Sequence, residues 1–463
     1  MSAARLFFFP ALLGALSLAP SARAGLEDSL GVGADAMSLG GSYAARPGTF
    51  ASAYYNPAGL APGGAVVEHG GFFELSIGGV YAHPQLHATS ASGVELFRPE
   101  VVDASGQPCG AAMNAPGCRR AVDDTAGVLL GTRFSVGQPF HLDGLDFGLA
   151  VFVPGHLFNW ANRPDDDVQW ELLEDRTQVI SAHAGLAYRV TRWLSLGVGV
   201  RVLFNTQTDT NGEVTSVGLE QLNGKTVVRT HTQLGTDAQV YGQAYPIVGA
   251  LITPVDRVRF GLVYRQSSYV NDWGTTRING VPDLGTIGYS SHFAHYFEPS
   301  EVTLAMAFDV TPRLDVSADL TYSLWSEALS NNLNFWGPGR WGDTLTPAFG
   351  ASFRATQALS LRAGYRYQRS PLDNFGGPSN MLDCDRHVAS TGFDLHLGKL
   401  VRKRDFDAHL TLGLQYTVLV DRTEVKDYRR FTSDQAWTSN PGYPSYTYGG
   451  HVIAGQLALE ARW

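Results

Sequence analysis

The sequence predicts an all-β protein: a 14-stranded antiparallel transmembrane β-barrel closed over an N-terminal hatch, or plug. Three observations lead there. Several long segments alternate strictly between apolar and polar residues. The connections between them alternate between short and long. A glycine- and alanine-rich stretch, Gly31 to Ala61, precedes the first strand, has neither pattern, and needs something to enclose it.

The N-terminus sets the compartment. Arg5 is a positive n-region, Leu6 to Leu18 an apolar core, and Ala22-Arg23-Ala24 a small-x-small cleavage site. Met1–Ala24 therefore reads as a secretory signal peptide, and the mature chain is expected to begin near Gly25. The chain has 34 basic and 43 acidic residues, and removing Arg5 and Arg23 leaves 32 against 43. An acidic mature chain argues against a nucleic-acid partner. After the signal no apolar run approaches the roughly 18 residues a transmembrane helix needs. Charged residues make up only 17% of the chain, against about 25% in ordinary soluble domains. Glycine is abundant, and no linker divides the chain. The expected organisation is signal peptide 1–24, hatch 25–64 and barrel 65–463.

Between Trp193 and Asn205, Leu194, Leu196, Val198, Val200, Val202 and Phe204 alternate with Ser195, Gly197, Gly199 and Arg201. The same period runs through Arg313–Trp325 and Phe406–Val420. These segments exceed the usual soluble strand of about 5–6 residues and suit a wall with lipid on one face and a polar lumen on the other. About fourteen such segments occur. The first seven are Ala65–Ala82, Thr125–Gly137, Gly144–Leu157, Arg176–Tyr188, Trp193–Asn205, Asp237–Ile252 and Arg257–Tyr269. The rest are Glu298–Val310, Arg313–Trp325, Thr344–Phe353, Leu359–Gln368, His387–Lys399, Phe406–Val420 and Gly450–Trp463.

The connections sort by length. His83–Asp124, Thr206–Thr236 and Val270–Phe297 are long; Gln138–Asp143, Arg189–Arg192, Thr253–Asp256 and Thr311–Pro312 are short. Short periplasmic turns and long extracellular loops are the habit of outer-membrane barrels, and an even strand count puts both termini in the periplasm. The last strand alternates Leu457, Leu459, Ala461 and Trp463 with polar residues. An aromatic end resembles an outer-membrane sorting signal. Closure by this strand removes the edge that hydrocarbon would not tolerate. Trp193 and Trp463 fall at strand ends, where an aromatic girdle sits.

Several stretches resemble the FadL family of outer-membrane transporters for long-chain fatty acids and other hydrophobic compounds. They are Gly40-Gly41-Ser42-Tyr43-Ala44 with Tyr54-Tyr55-Asn56-Pro57-Ala58-Gly59-Leu60; Pro299-Ser300-Glu301 running into Arg313–Tyr322; Leu361–Tyr367 with Ser370-Pro371; and Asp383-Cys384-Asp385-Arg386-His387. The cysteine between these aspartates departs from the family pattern. The resemblance implies capture of a hydrophobic ligand on extracellular loops, a lumen pocket, and lateral release as the N-terminal hatch shifts and the third strand kinks. It implies passive diffusion, with no cofactor and no enzymatic step. A general porin for hydrophilic solutes is the alternative. The partners expected are the ligand and outer-membrane lipid, with the protein acting as a monomer.

Each candidate residue has two readings. Asn56, Pro57, Ala58 and Gly59 form either a turn into the first strand or the hatch anchor. Proline lacks a ladder donor, so Val153, Pro154 and Gly155 mark either a strand end or a lateral opening. Arg201, Arg259, Arg362 and Arg366, with Arg265, face the lumen either as ion-pair members or as partners of a ligand carboxylate. Leu219, Leu222, Trp273, Ile278, Leu284 and Ile287 in the long loops either catch ligand or cap the barrel. Cys109 and Cys118 share a loop and can pair in an oxidising compartment, leaving Cys384. His292-x-x-His295 lacks a third ligand nearby, so no metal is expected. No Gly-x-Ser-x-Gly elbow is present.

Overall fold

The computed structural model describes residues 29–61, 73–93, 124–137, 142, 144–155, 169–170, 180–222, 225–281, 285–329, 341–372, 381–400, 407–425 and 444–462. The wall strands are β1 Phe73–Ser90, β2 Thr125–Ser135, β3 Leu145–Pro154, β4 Ser181–Arg189, β5 Leu194–Leu222, β6 Lys225–Val255 and β7 Val258–Arg265. They continue as β8 Glu301–Thr311, β9 Leu314–Ser323, β10 Thr344–Arg354, β11 Leu359–Gln368, β12 Arg386–His396, β13 Asp407–Val425 and β14 Ser445–Arg462. Each pairs antiparallel with the next. β14 returns to β1 from Glu74↔Arg462 to Ser90↔Tyr446 and closes the ring. The continuous sheet has 16 strands; two belong to a loop hairpin, Ser268–Val281 with Gly285–Glu298, which leaves a closed barrel of 14.

The alternation places side chains as the period requires. On β1, Glu74, Ser76, Val80 and Ala82 are buried, while Phe73, Leu75, Ile77 and Tyr81 face outward. The outer face repeats this around the ring with Val198 on β5, Leu262 on β7, Leu304 and Met306 on β8, and Leu457 and Leu459 on β14. Such a continuous apolar belt is a liability in water and suits hydrocarbon. Aromatic residues mark its edges. Phe73, Phe134 and Phe147 stand side by side at the periplasmic end, with ring centroids 6.1 and 5.2 Å apart. At the opposite edge Tyr322 donates to Asp343 at 2.8 Å and Tyr365 shares a 2.7 Å hydrogen bond with His387. Trp193 lies exposed in the β4–β5 turn; Trp463 lies outside the described residues.

Two expectations are corrected. The first strand, described over Phe73–Ser90, runs eight residues past the expected end at Ala82; the expected start at Ala65 lies outside the described residues. Pairing with β14 carries it past Pro84. Among the described residues the ladder to β2 ends at Ala82↔Thr125, so Pro84 lies beyond the described pairing on that edge. Second, Thr206–Thr236 and Val270–Phe297 are not irregular loops. β5 and β6 continue as one ladder from Leu194↔Ile252 to Leu222↔Lys225. Thr206–Glu213 then pairs in parallel with Asp272–Asn279 of the loop hairpin. The signal was present: Asn223-Gly224, a favoured two-residue hairpin connection, lies between β-branched runs.

Candidate functional site

Residues 29–61 fold inside the barrel. They form α1 (Ala34–Ser38), α2 (Ser52–Tyr55) and one 3-10 turn, Pro57–Leu60. Elements this short are not stable alone, so the wall must hold them. Ala36, Phe50, Ala53, Ala58 and Leu60 are fully buried.

Asn56 ties the segment together. Its Oδ1 accepts from Ala58 N at 3.1 Å, capping the 3-10 turn, and Pro57 follows at a position that needs no donor. Its Nδ2 donates to Ala44 O at 2.7 Å, within the plug, and to Ala250 O on β6 at 3.2 Å. Tyr43 donates its hydroxyl to Asp35. Burial first, and then the Asp35 carboxylate, raise the Tyr43 hydroxyl well above its usual range, so it remains a donor.

Glycines on the lumen face receive the plug. A Cβ on Gly197 (β5) would stand 2.2 Å from Ala58 N, and one on Gly249 (β6) 2.1 Å from Asn56 Oδ1. On Gly364 (β11) it would lie 2.1 Å from the Leu39 carbonyl carbon, and on Gly413 (β13) 2.4 Å from Ala34 O. Gly131 and Gly148 give way to the side chains of Phe50 and Leu60 in the same manner. From the plug side, Gly40 has φ 67° and no room for a Cβ against the Tyr365 backbone. The alternation placed Gly197 on the lumen face, but gave these glycines no role. Their place in the lumen register of successive strands was the available signal.

Polar contacts complete the seat. Asp319 on β9 accepts from Tyr43 N at 2.9 Å, Ala44 N at 2.8 Å and Ser42 Oγ at 3.0 Å. Glu74 on β1 accepts from Phe50 N at 3.1 Å. Arg133 on β2 donates to Leu60 O at 2.9 Å and Gly48 O at 2.7 Å. Arg265 on β7 donates to Tyr54 O at 2.8 Å and lies 4.3 Å over the Tyr54 ring. Arg366 on β11 and Gln415 on β13 donate to Ser29 O at 2.8 and 2.9 Å. Wall carboxylates thus meet plug N–H groups, and wall cations and amides meet plug carbonyls, as buried backbone requires.

Among the described residues, two small cavities border the plug. One cavity of about 100 Å³ is bounded by Tyr55, Arg265, Glu301, Trp325 and Arg366, and an apolar one of about 10 Å³ by Leu30, Val32, Val80, Leu129 and Phe152. The first is large enough for a few waters; neither has the volume of a drug-sized ligand site. Above, Gln169–Trp170 pairs in parallel with Met381–Leu382. Trp170 packs edge-on to Tyr448 at 5.7 Å, beside buried Cys384 and Tyr446. A cavity of about 210 Å³ lies outside the wall on the extended hairpins, bounded by Gln207, Asp209, Tyr241, Trp273 and Ser290.

The family model described as outer membrane protein transport protein (OMPP1/FadL/TodX) matches residues 17–422. The chain belongs to this family. It is an outer-membrane transport protein that crosses the bacterial outer membrane as a β-barrel. In fold it is similar to a FadL homologue of Pseudomonas aeruginosa, with 14% identity, TM-score 0.54, and 93% and 98% of the two chains covered. It is also similar to the toluene transporter TodX of Pseudomonas putida, with 14% identity, TM-score 0.53 and 94% and 99% covered. A third likeness is to the toluene transporter TbuX of Ralstonia pickettii, at 13% identity and TM-score 0.50, with 94% and 99% covered. A comparison of the sequence with curated proteins finds no match.

The expected residues of this FadL-family chain fall as follows. Asn56, Pro57, Ala58 and Gly59 all lie in the plug against β4–β6. Pro154 ends β3; the β2–β3 ladder is continuous from Gly127↔Pro154 to Ser135↔Asp146, and Gly155 N donates to Ala126 O at 2.6 Å. Val153 points outward beside it. Arg201 pairs with buried Glu298, and Arg259 holds Asp309 with two hydrogen bonds of 3.2 and 2.6 Å. Arg362 faces the lumen near Tyr43 and Asp394. Arg366 lines the larger lumen cavity. Trp273, Ile278 and Ile287 are on the loop hairpin, with Trp273 exposed. Leu219 and Leu222 are on the β5 extension; their side chains, those of His292 and His295, and the whole of Leu284, Cys109 and Cys118 lie outside the described residues. Cys384 is buried and its thiol donates to Tyr448 O at 3.7 Å.

Proposed function

We propose that this protein admits a hydrophobic small molecule by passive diffusion, with residues 25–64 acting as a hatch in the barrel 65–463. The observation that carries this reading is the plugged lumen. A general porin keeps an aqueous channel, whereas here, among the described residues, the folded segment 29–61 packs against lumen-facing residues of the wall and leaves only small cavities beside it. Ligand is first held on the extended hairpins, beside Trp273 and Tyr241. It then passes Trp325 into the lumen, where Arg366 is placed to meet a carboxylate if the ligand carries one. Displacement of the hatch merges the two small cavities and opens the apolar route past Leu30, Val80, Leu129 and Phe152. That route ends against β3, where Val153, Pro154 and Gly155 form the lateral exit. The similarity in fold to TodX and TbuX, which are toluene transporters, supports a hydrophobic cargo.

The test is uptake by a host strain lacking its own family member. With this protein in the outer membrane, labelled oleate or toluene should enter faster than with the empty vector. An assembled barrel that accelerates neither, yet passes large steady currents in planar bilayers, would return the porin reading.

A further inference from the structure

Near the periplasmic end of the wall, the hairpin joining β12 to β13 carries a cluster that the transport reading does not use. His396 and His409 face each other as direct register partners. Their rings are parallel within 3°, with centroids 4.6 Å apart. Asp407, two residues before His409 and on the same face, places Oδ1 3.1 Å from His409 Nε2 and 3.7 Å from His396 Nδ1. One donor atom from each of the three residues lies within 4.8 Å of the others. On the far side of the ring, His409 Nδ1 is 3.0 Å from Asp394 Oδ2. That oxygen also accepts from Thr411 Oγ1 at 3.1 Å.

We propose that His396, Asp407 and His409 bind a divalent transition-metal ion of the zinc class, with Asp394 as a positioning residue for His409. Ligand atoms about 2.1 Å from a tetrahedral ion stand about 3.4 Å apart. The two Asp407 distances already bracket that value. Metal-bound histidines commonly donate their other ring N–H to a carboxylate, which fixes the tautomer and the ring orientation. Asp394 does this for His409 and leaves Nε2, the nitrogen facing Asp407, as the lone-pair donor. Asp394 is itself held by Thr411.

Two imidazoles and one carboxylate suit zinc-like ions better than calcium or magnesium, which prefer all-oxygen sites. Three protein ligands leave a position for water. Stacked rings cannot both contain the ion in their planes, so binding requires His396 to turn. The hydrogen bond between His396 Nδ1 and Ala408 O is long, at 3.4 Å. Asp407 is half exposed and gives the ion a way in from the periplasm. Its register partner Arg462 is turned toward Glu74 and Glu460, at 3.5 and 3.6 Å. The competing arrangement is His409 bridging Asp394 and Asp407 by hydrogen bonds alone, with no ion. The site is four residues from Gly392 and Gly413, which seat Ser38 and Ala34 of α1. An ion here therefore clamps the hairpin that holds the plug.

The experiment uses the mature full chain without a polyhistidine tag, purified in detergent, stripped with EDTA and titrated with Zn²⁺ against a chromophoric chelator. Folding of every variant is checked by the heat-dependent gel mobility of the barrel. If His396→Ala/His409→Ala fails that check, His396→Gln/His409→Gln replaces it. Wild-type protein should take up one equivalent, and the double histidine variant should lose it. Asp394→Asn should weaken binding by about 10–100-fold. Wild-type protein that takes up no Zn²⁺, or a folded histidine variant that keeps the equivalent, overturns the site. Unchanged affinity in Asp394→Asn overturns the role given to Asp394. The readout is independent of uptake, so it stands or falls apart from the transport reading.

Discussion

Asp319→Ala is the sharpest probe of how the plug is held. Asp319 is the acceptor for Tyr43 N and Ala44 N, at 2.9 and 2.8 Å, and for the Ser42 hydroxyl. Alanine leaves two plug N–H groups buried in the wall without this acceptor. Each such orphan costs about 1–3 kcal/mol, so the seated plug loses about 2–6 kcal/mol relative to the displaced one. At 1.4 kcal/mol per tenfold, the displaced population rises by about 30-fold at the lower end. Asp319→Asn keeps one carboxamide oxygen and should fall between alanine and wild type. The assay is single-channel recording in planar bilayers, with deletion of Gly25–Tyr54 as the open reference. Asp319→Ala should open far more often than wild type, toward the current of the deletion. If the deletion conducts and Asp319→Ala stays as closed as wild type, the seat does not rest on this carboxylate. If the deletion itself stays closed, the plug is elsewhere.

Gly364→Val places a Cβ 2.1 Å from the Leu39 carbonyl carbon; overpacking of about 1–3 kcal/mol should again raise conductance, while Gly79→Val, with open space around its Cβ, should not. Burial, and then the neighbouring Asp383 carboxylate, raise the Cys384 thiol above its usual range. A raised pKa means less thiolate at any given pH, so maleimide at pH 8 should leave Cys384 unlabelled in the folded barrel and label it in urea, as read by peptide mass. The same maps, run without reductant, should join the peptides of Cys109 and Cys118; two separate labelled thiols would refute that pairing. Trp273→Ala should slow uptake most at low ligand concentration, and an unchanged rate there would remove the hairpin cavity from the capture step.

The barrel was legible because its rule is local. A period of two over ten or more residues says which face meets lipid, and the alternation of connection lengths says which end is which. Strand positions in the second half, such as Leu359–Gln368, follow from that rule. The two extended hairpins were missed because connection length took precedence over Asn223-Gly224 and the β-branched residues around it. Asn56-Pro57-Ala58-Gly59 was legible as a tight turn; that Asn56 caps it came from the structure. The partners of that turn were not, since Ala250 is 194 positions from Asn56.

By itself, then, the sequence determined the compartment, the alternating wall and an N-terminal segment unable to stand alone, because all three depend on residues near one another in the chain. The tertiary structure decided what that segment rests on. Gly197, Gly249, Gly364 and Gly413 are unremarkable within their own strands, and only closure of the ring turns them toward one plug. The β7–β8 ladder sets Arg259 against Asp309 and Arg265 against Glu301, the loop hairpin brings Glu298 to Arg201, and the plug brings Tyr54 O to Arg265, choosing among arginines that alternation alone had left equivalent. The His396–His409 pair is of the same kind. Thirteen positions separate the two residues in the chain, and the antiparallel register brings their rings face to face.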